Sequence, residues 1–247
     1  MNRFALVLGL ADDALIAAQR LAEWVANAPE LEEDVALANI ALDTLGRARV
    51  LLAHAGEIEG AGRNEDDLAM LRDEREFTNV QLAELENGHF GTTIARLWLY
   101  STWQLTWWEA LTSSTDETLA AVAQKSIKEL RYHVDHGERW VRRLGDGTEV
   151  SHERMQDGLD RVWPHVAELF TNWVGTDLIE QGVTVAPATL EARCRERWAH
   201  VINEATLSTP QVPTVPGGGR RGIHTESMGY LLAEMQHMAR SHPGATW

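Results

Sequence analysis

Cysteine is almost missing from this chain of 247 residues. Cys194 is the single one, so no intrachain disulfide can form and a reducing compartment fits. Its Arg-rich helical surroundings, Arg193 to Arg197, mark no base beside the thiol, so it reads as a packing residue. Basic side chains are scarce: 22 Lys and Arg stand against 37 Asp and Glu, a net charge of −15. A nucleic-acid wrapper needs a basic face, and this balance argues against one. It suits a cationic or mixed-charge protein partner reached by electrostatic steering. Long hydrophobic runs are also missing. No stretch approaches the roughly 18 apolar residues of a membrane span. Met1 to Leu10 carries Arg3 and a short apolar run, but Asp12 and Asp13 return too early for a signal peptide. Together these absences lead us to expect a cytoplasmic protein with neither nucleic acid nor membrane as partner. No strand alternation of useful length, internal repeat or convincing second domain is visible.

What is abundant is helical period, and tryptophan. Asp12 to Asn27 shows Leu15, Ala18, Leu21, Ala22 and Val25 at three-and-four spacing. Pro29 then breaks the chain and can open the next helix, about Leu31 to Ile58. That helix carries Ala38, Leu42, Leu45 and Leu52 on one stripe and Ala36, Ile40 and Val50 on another. A helix apolar on several faces is expected inside a bundle. Gly60, Gly62 and Asn64 mark a loop, and Asp66 to Arg72 a short helical piece. The octet RDEREFTN, Arg72 to Asn79, has no settled type. After the turn signal Asn87-Gly88 comes a third long helix, Phe90 to Leu111. It holds Trp98, Trp103, Trp107 and Trp108 of the ten tryptophans. Packing between thick helices is the plain reading of that cluster. An aromatic substrate wall or a subunit interface is the sharper one. Ser114 with Glu117 fits a capping box for a fourth helix, which has a near-heptad seam and stops at Gly145 and Gly147. Four long helices of this kind predict an antiparallel bundle. Further helices are expected over Glu153–Phe170, Pro187–Ala205 and Thr225–Arg240. We therefore expect one domain over 1–247: a core bundle over about 12–144, then extra helices and a long loop over 151–247. The Pro- and Gly-rich stretch Thr206 to Gly222 predicts a long surface excursion.

A bundle of this length raises the question of a di-iron carboxylate centre. That centre takes four carboxylates and two histidines, two of the helices each supplying Glu-x-x-His, since residues three apart share a face. Glu86…His89 contains a turn, Glu149…His152 straddles a helix start, and Glu234…His237 stands alone. On the second helix Asp43 is followed three later by Gly46. On the fourth, Glu129 is followed three later by Tyr132. Both positions keep a carboxylate and lack the imidazole. They read as degenerate metal positions, with Asp43 beside Arg47 and Glu129 beside His133 one turn on. The expectation is no metal in this chain. The alternative is a self-sufficient metal-dependent oxidase with ligands drawn from Asp43, Glu129, His133 and His136. Gly217, Gly219 and Gly222 have G-x-G-x-x-G spacing but follow prolines and no strand, which excludes a dinucleotide fold. Arg220 and Arg221 there are read as a solvated loop, or as contacts for phosphate or an acidic partner surface.

Several blocks resemble one family in order. They are Pro29–Arg49 (PELEEDVALANIALDTLGRAR), Arg72–Asn79 (RDEREFTN), Lys128–His133 (KELRYH), Arg143–Thr148 (RLGDGT), Ala167–Phe170 (AELF), Ile202–Leu207 (INEATL), Gly222–Gln236 (GIHTESMGYLLAEMQ) and Pro243–Trp247 (PGATW). The chain resembles the C subunits of the phenylacetyl-CoA epoxidases. That resemblance implies a ferritin-like all-α fold and a structural, non-catalytic subunit of a multicomponent monooxygenase of aerobic phenylacetate degradation. It implies pairing with a catalytic A subunit that holds the di-iron centre, a separate reductase that draws on NADPH, and further subunits of the complex. It also implies contact with phenylacetyl-CoA where the subunits meet. Glu76, Phe77, Thr78 and Asn79 are the first candidates for that contact. Asp177, Leu178 and Ile179, where this chain departs from the family's run, are the second. Plain loop packing is the competing reading of both stretches.

Overall fold

The computed structural model of the chain describes residues 2–245. Met1, and Thr246 and Trp247 of the terminal PGATW block, lie outside the described residues. Within them the fold is all-α, of the expected ferritin-like class. Its helices are α1 (Arg3–Ala22), α2 (Leu31–Glu59), α3 (Glu65–Met70), α4 (Gln81–Glu84), α5 (Phe90–Leu111), α6 (Glu117–Gly145), α7 (Glu149–Val162), α8 (Thr176–Glu180), α9 (Glu191–Glu204) and α10 (Glu226–Ser241). Short 3₁₀ turns lie at Glu74–Glu76, Trp163–Phe170, Pro187–Leu190 and Gly219–Arg221. The chain forms two compact units. The first runs to Glu86 and resumes at Gly218, and the second spans 87–217. This boundary does not coincide with the break expected between 144 and 151, because α10 belongs with α1–α4.

In the first unit, α1 begins well before the expected Asp12. The Asn2 side chain accepts from the Ala5 N–H at 3.0 Å and caps it. Leu6, Val7, Leu10, Ala14, Ile16 and Leu21 are buried around much of its circumference. The helix ends at Ala22, and Ala26 takes a left-handed φ of 66° in the turn. That short connection lays α2 back along α1 as an antiparallel neighbour. The α2 face on α1 carries Leu37, Ile40, Ala48, Leu51 and Ala55, all buried. The expectation that α2 is sheathed on every side fails: Leu42, Leu45 and Val50 are exposed. Helical period marks an apolar face, but it does not say that the fold covers it. Asn64 and Asp67 form a capping box that starts α3. In the RDEREFTN octet only Glu74–Glu76 coils, as a single 3₁₀ turn.

The second unit is built on the α5–α6 hairpin, with α7 and α9 against it. The cap of α6 is Asp116, whose carboxylate accepts from the Leu119 N–H at 3.0 Å. Ser114, expected in that role, instead donates to the Val183 carbonyl at 2.6 Å. A Ser two residues upstream has the right chemistry but the wrong register. Trp98, Trp103, Trp107 and Trp108 are fully buried. Trp103 and Trp107 meet edge to face with ring centroids 5.6 Å apart. Of these four, Trp108 finds an acceptor, Gln104 Oε1 at 2.7 Å. The other three indole N–H groups are buried without one among the described residues. This cluster is core, as the plain reading held. Two glycines let helices close on it. A Cβ at Gly137 would stand 2.9 Å from the Trp98 Cβ, and one at Gly158 2.6 Å from the Gly91 carbonyl carbon.

Gly158→Val should therefore lower the unfolding free energy by about 1–3 kcal/mol, since backbone has to move. Gly46→Ala, where a Cβ meets nothing within 4 Å, should raise it by about 0.5–1 kcal/mol. Urea unfolding followed by circular dichroism checks both signs.

Candidate functional site

The chemically richest place in the chain is a buried polar cluster in the first unit. It starts from two carboxylates in the middle of an apolar helix. Asp12 and Asp13 of α1 are fully buried. An ionised carboxylate cannot stay there unless cations and N–H groups surround it. Arg72 supplies the first cation, gripping both Asp12 oxygens with Nη1 and Nη2. The Thr78 N–H adds a bond to Asp12 Oδ2 at 2.9 Å. Arg220 supplies the second: its Nη2 donates to Asp13 Oδ2 at 2.6 Å, and the Val80 N–H to Asp13 Oδ1 at 2.8 Å. Nη1 of Arg220 also donates to the carbonyls of Gly9 and Thr78. Burial pushes the Asp13 carboxyl up to about 6, against the pull of Arg220 and the Val80 N–H.

A second centre lies at the α4 end of the same cluster. The Glu84 carboxylate accepts from the Asn79 side chain at 2.8 Å and the Thr225 N–H at 2.5 Å. His224 Nδ1 stands 2.7 Å from the same carboxylate, and Nε2 2.9 Å from the Phe77 carbonyl. Both ring nitrogens face acceptors, so the arrangement calls for an imidazolium. Burial works against that charge, but Glu84, the Phe77 carbonyl and Glu74 outweigh it and hold His224 above the ordinary imidazole value. Arg20 closes the cluster, donating to the carbonyls of Glu84 and Ser227. The approach of the 218–225 loop depends on two glycines. A Cβ at Gly219 would run into the Asn79 carbonyl oxygen. One at Gly222, where φ is +68°, would run into the Arg75 carbonyl oxygen.

The structure thus brings three separate sequence blocks together: the Asp12-Asp13 pair, RDEREFTN and the Gly218–Ser227 stretch. Of the first four substrate candidates, Phe77 and Asn79 are buried in this cluster, Thr78 is half-buried and Glu76 is exposed. Arg220 is not on a solvated loop but buried on Asp13, while Arg221 is exposed. Asp12, Asp13, Glu84 and His224 escaped the sequence reading. The available signal was the pair of acids set inside ALVLGLADDALIAA, where charge returns for only two residues.

Asp177, Leu178 and Ile179 sit on the short α8 of the second unit. Asp177 is exposed and Leu178 buried. Ile179 lines a cavity of about 370 Å³ with Leu111, Ser114, Thr184, Val185 and Thr189. Among the positions read as degenerate for metal, Asp43 and Glu129 are half-buried, while Gly46 and Tyr132 are exposed. The Tyr132 ring stacks on His136 at 6.1 Å and meets the buried His133 edge-on at 6.3 Å. The histidines of two other Glu-x-x-His pairs serve local packing. His89 caps α5 and pairs with Asp157, and His152 bonds the Gly145 carbonyl. No group of three or more His, Cys, Asp and Glu gathers as a metal site among the described residues. Cys194 is buried against Thr106, and burial pushes its thiol up to about 11. Among the described residues no helix is long and apolar enough to cross a membrane.

The buried cluster sets both a mutational cost and a pH dependence. Arg220→Met leaves the Asp13 carboxylate buried without its cation and should cost about 3–5 kcal/mol by chemical denaturation. His224 and Asp13 both bind protons more tightly folded than unfolded. Their contributions are full below the ordinary histidine and carboxylate values and are lost as pH rises through the folded ones. The thermal midpoint should therefore fall as pH rises from about 4, through the Asp13 value of about 6 and on through the raised His224 value, and His224→Gln should flatten the part of the fall above the ordinary histidine value. An unchanged slope in the variant would contradict the imidazolium assignment.

A family model described as phenylacetic acid catabolic protein matches residues 1–247. The chain is 46% identical over 249 residues to the C subunit of the 1,2-phenylacetyl-CoA epoxidase of Escherichia coli (strain K12), covering 100% of both. The match of the family model over the whole chain and the full-length relative at 46% identity make the chain a member of the phenylacetic acid catabolic protein family.

Proposed function

We propose that this chain is a structural, non-catalytic subunit of a phenylacetyl-CoA epoxidase and pairs with the subunit that carries the di-iron centre. The observation that carries the reading is at the two positions where an imidazole would complete each ligand pair. They hold Gly46 and Tyr132, and both are exposed. The full-length relative, named as the C subunit of such an epoxidase, supports it. In this division of labour, oxygen activation and the NADPH-derived electrons belong to other subunits. The present chain contributes helical surfaces, with the buried Asp12, Asp13 and Glu84 of its first unit tied into internal pairs. Contact with the acyl-CoA substrate falls either to the accessible Glu76 and Thr78 of the first unit or, separately, to Asp177 and the cavity-lining Ile179 of the second.

Co-expression with the neighbouring oxygenase subunits tests this. The chain should co-purify with the catalytic subunit, and iron should stay with that subunit after separation. Near-stoichiometric iron in the isolated chain, with oxygen uptake by it alone, would sink the proposal.

A further inference from the structure

The second unit has a cavity of about 450 Å³ where α5 meets α9, within the roughly 300–1,000 Å³ of small-molecule sites. Leu105 and Thr106, both buried, line it from α5, and Arg193, Glu196, Arg197 and His200 line it from α9. Arg193, Arg197 and His200 recur at four and three residues, so they share one face of the helix. Each arginine is fastened to a largely buried carboxylate by a single nitrogen. Arg193 Nη2 donates to Glu109, and Arg197 Nε to Glu138 at 2.6 Å. The remaining N–H groups of the two guanidiniums make no hydrogen bond among the described residues. Glu109 also serves Arg131, so that group of three carries one surplus positive charge.

Exposed pairs of this kind add little stability. What they fix is position: an arginine held at one nitrogen loses less freedom when the rest of its fork meets a ligand. A planar fork of N–H groups is the side chain that grips phosphate by two prongs. Fixed forks are needed in a chain of net charge −15, whose long-range field repels anions. Glu196 supplies the other half of the chemistry. It lines the same cavity and has no hydrogen-bond or ion-pair partner among the described residues. A ligand that is anionic at every end is repelled there, and one that offers an N–H or O–H is accepted. We infer that this cavity binds a nucleotide-sized organic phosphate. Its phosphate lies on Arg193 and Arg197, and an amine or hydroxyl at its other end on Glu196, with Leu105 as the apolar wall between them. A free nucleotide and the nucleotide end of a coenzyme A ester share this chemistry. The site belongs to neither stretch assigned above to the acyl-CoA, and its test needs no partner subunit.

The test is isothermal titration calorimetry of the full chain at low ionic strength, with adenosine monophosphate, coenzyme A, inorganic phosphate and adenosine as probes. Adenosine monophosphate should bind once per chain, inorganic phosphate more weakly, and adenosine, which has no phosphate, not at all. Arg193→Gln and Arg197→Gln should each weaken adenosine monophosphate at least about tenfold. Both variants should keep the wild-type melting curve, because Glu109 retains Arg131 and Glu138 retains Arg142. Glu196→Gln should tighten inorganic phosphate by removing a like charge. Arg221→Gln, at an exposed arginine of the first unit, should bind every probe as wild type does. Coenzyme A that competes with adenosine monophosphate supports the site with the coenzyme as a source of the ligand. Adenosine monophosphate binding without that competition supports it with a free nucleotide as the source. Absence of binding by every phosphate probe overturns the inference, as does adenosine monophosphate binding that survives both arginine substitutions. Inorganic phosphate as tight as adenosine monophosphate removes the role of Glu196 and overturns the nucleotide assignment. None of these outcomes alters co-purification with the oxygenase subunits, so the subunit reading stands or falls separately.

Discussion

The first unit depends on two charges that have no business in an apolar helix except in company. Asp12 and Asp13 occupy positions that periodicity assigns to hydrocarbon, and each is neutralised by an arginine from a distant segment. A buried ion pair of this kind contributes little net stability, because desolvation consumes most of the Coulomb gain. Its effect is on uniqueness. An unmatched partner is so costly that the 72–80 segment and the 218–225 loop have one acceptable position each. We take this as the reason that a stretch with almost no regular structure, Asp73 to Val80, is nonetheless held in place. The Glu84–His224 pair extends the same logic to the start of α10. Gln236 and Arg240 then bond the carbonyls of residues 69–72, tying down the rest of that helix.

The second unit uses other means. Its interior is aromatic, with tryptophans in edge and tilted contacts. Helices approach closely at Gly137 and Gly158. Its ion pairs lie towards the surface, where Glu109 serves Arg131 and Arg193, and Glu138 serves Arg142 and Arg197. Such exposed pairs are worth little individually. Shape complementarity at backbone distance therefore carries specificity here, and packing at interior density transmits small errors over the whole contact.

Much of this was legible in the sequence. Long helices with strong period, α2 and α5 above all, were placed to within a residue or so, because a three-and-four rhythm over five or more turns fits little except a helix. Boundaries set by single side chains were less legible. Asn2 starts α1 and Asp116 starts α6, and neither is distinguishable by pattern from neighbours that do nothing. Short helices such as α4 and α8 have no periodic signature at all. The site was legible only in pieces. RDEREFTN and the Arg220–His224 stretch each stand out, but nothing local says that they meet, or that Asp12 and Asp13 are where they meet. Exposure of Leu42 and Leu45 was hidden for a related reason. A helical period records that a face is apolar, not that the fold buries it.

The span of these pairs along the chain has a consequence for how the molecule is made. Asp13 and Arg220 are separated by 207 positions, and Arg20 bonds the backbone of Ser227 at the same separation. During synthesis the amino-terminal hairpin emerges first and waits, with bare carboxylates in its apolar flank, while the whole aromatic unit is translated. Only when the last helix leaves the ribosome can the first unit close. A stalled or shortened polypeptide would thus expose an acidic, greasy hairpin to the quality-control machinery, which gives proteases and chaperones a clear mark of incompleteness.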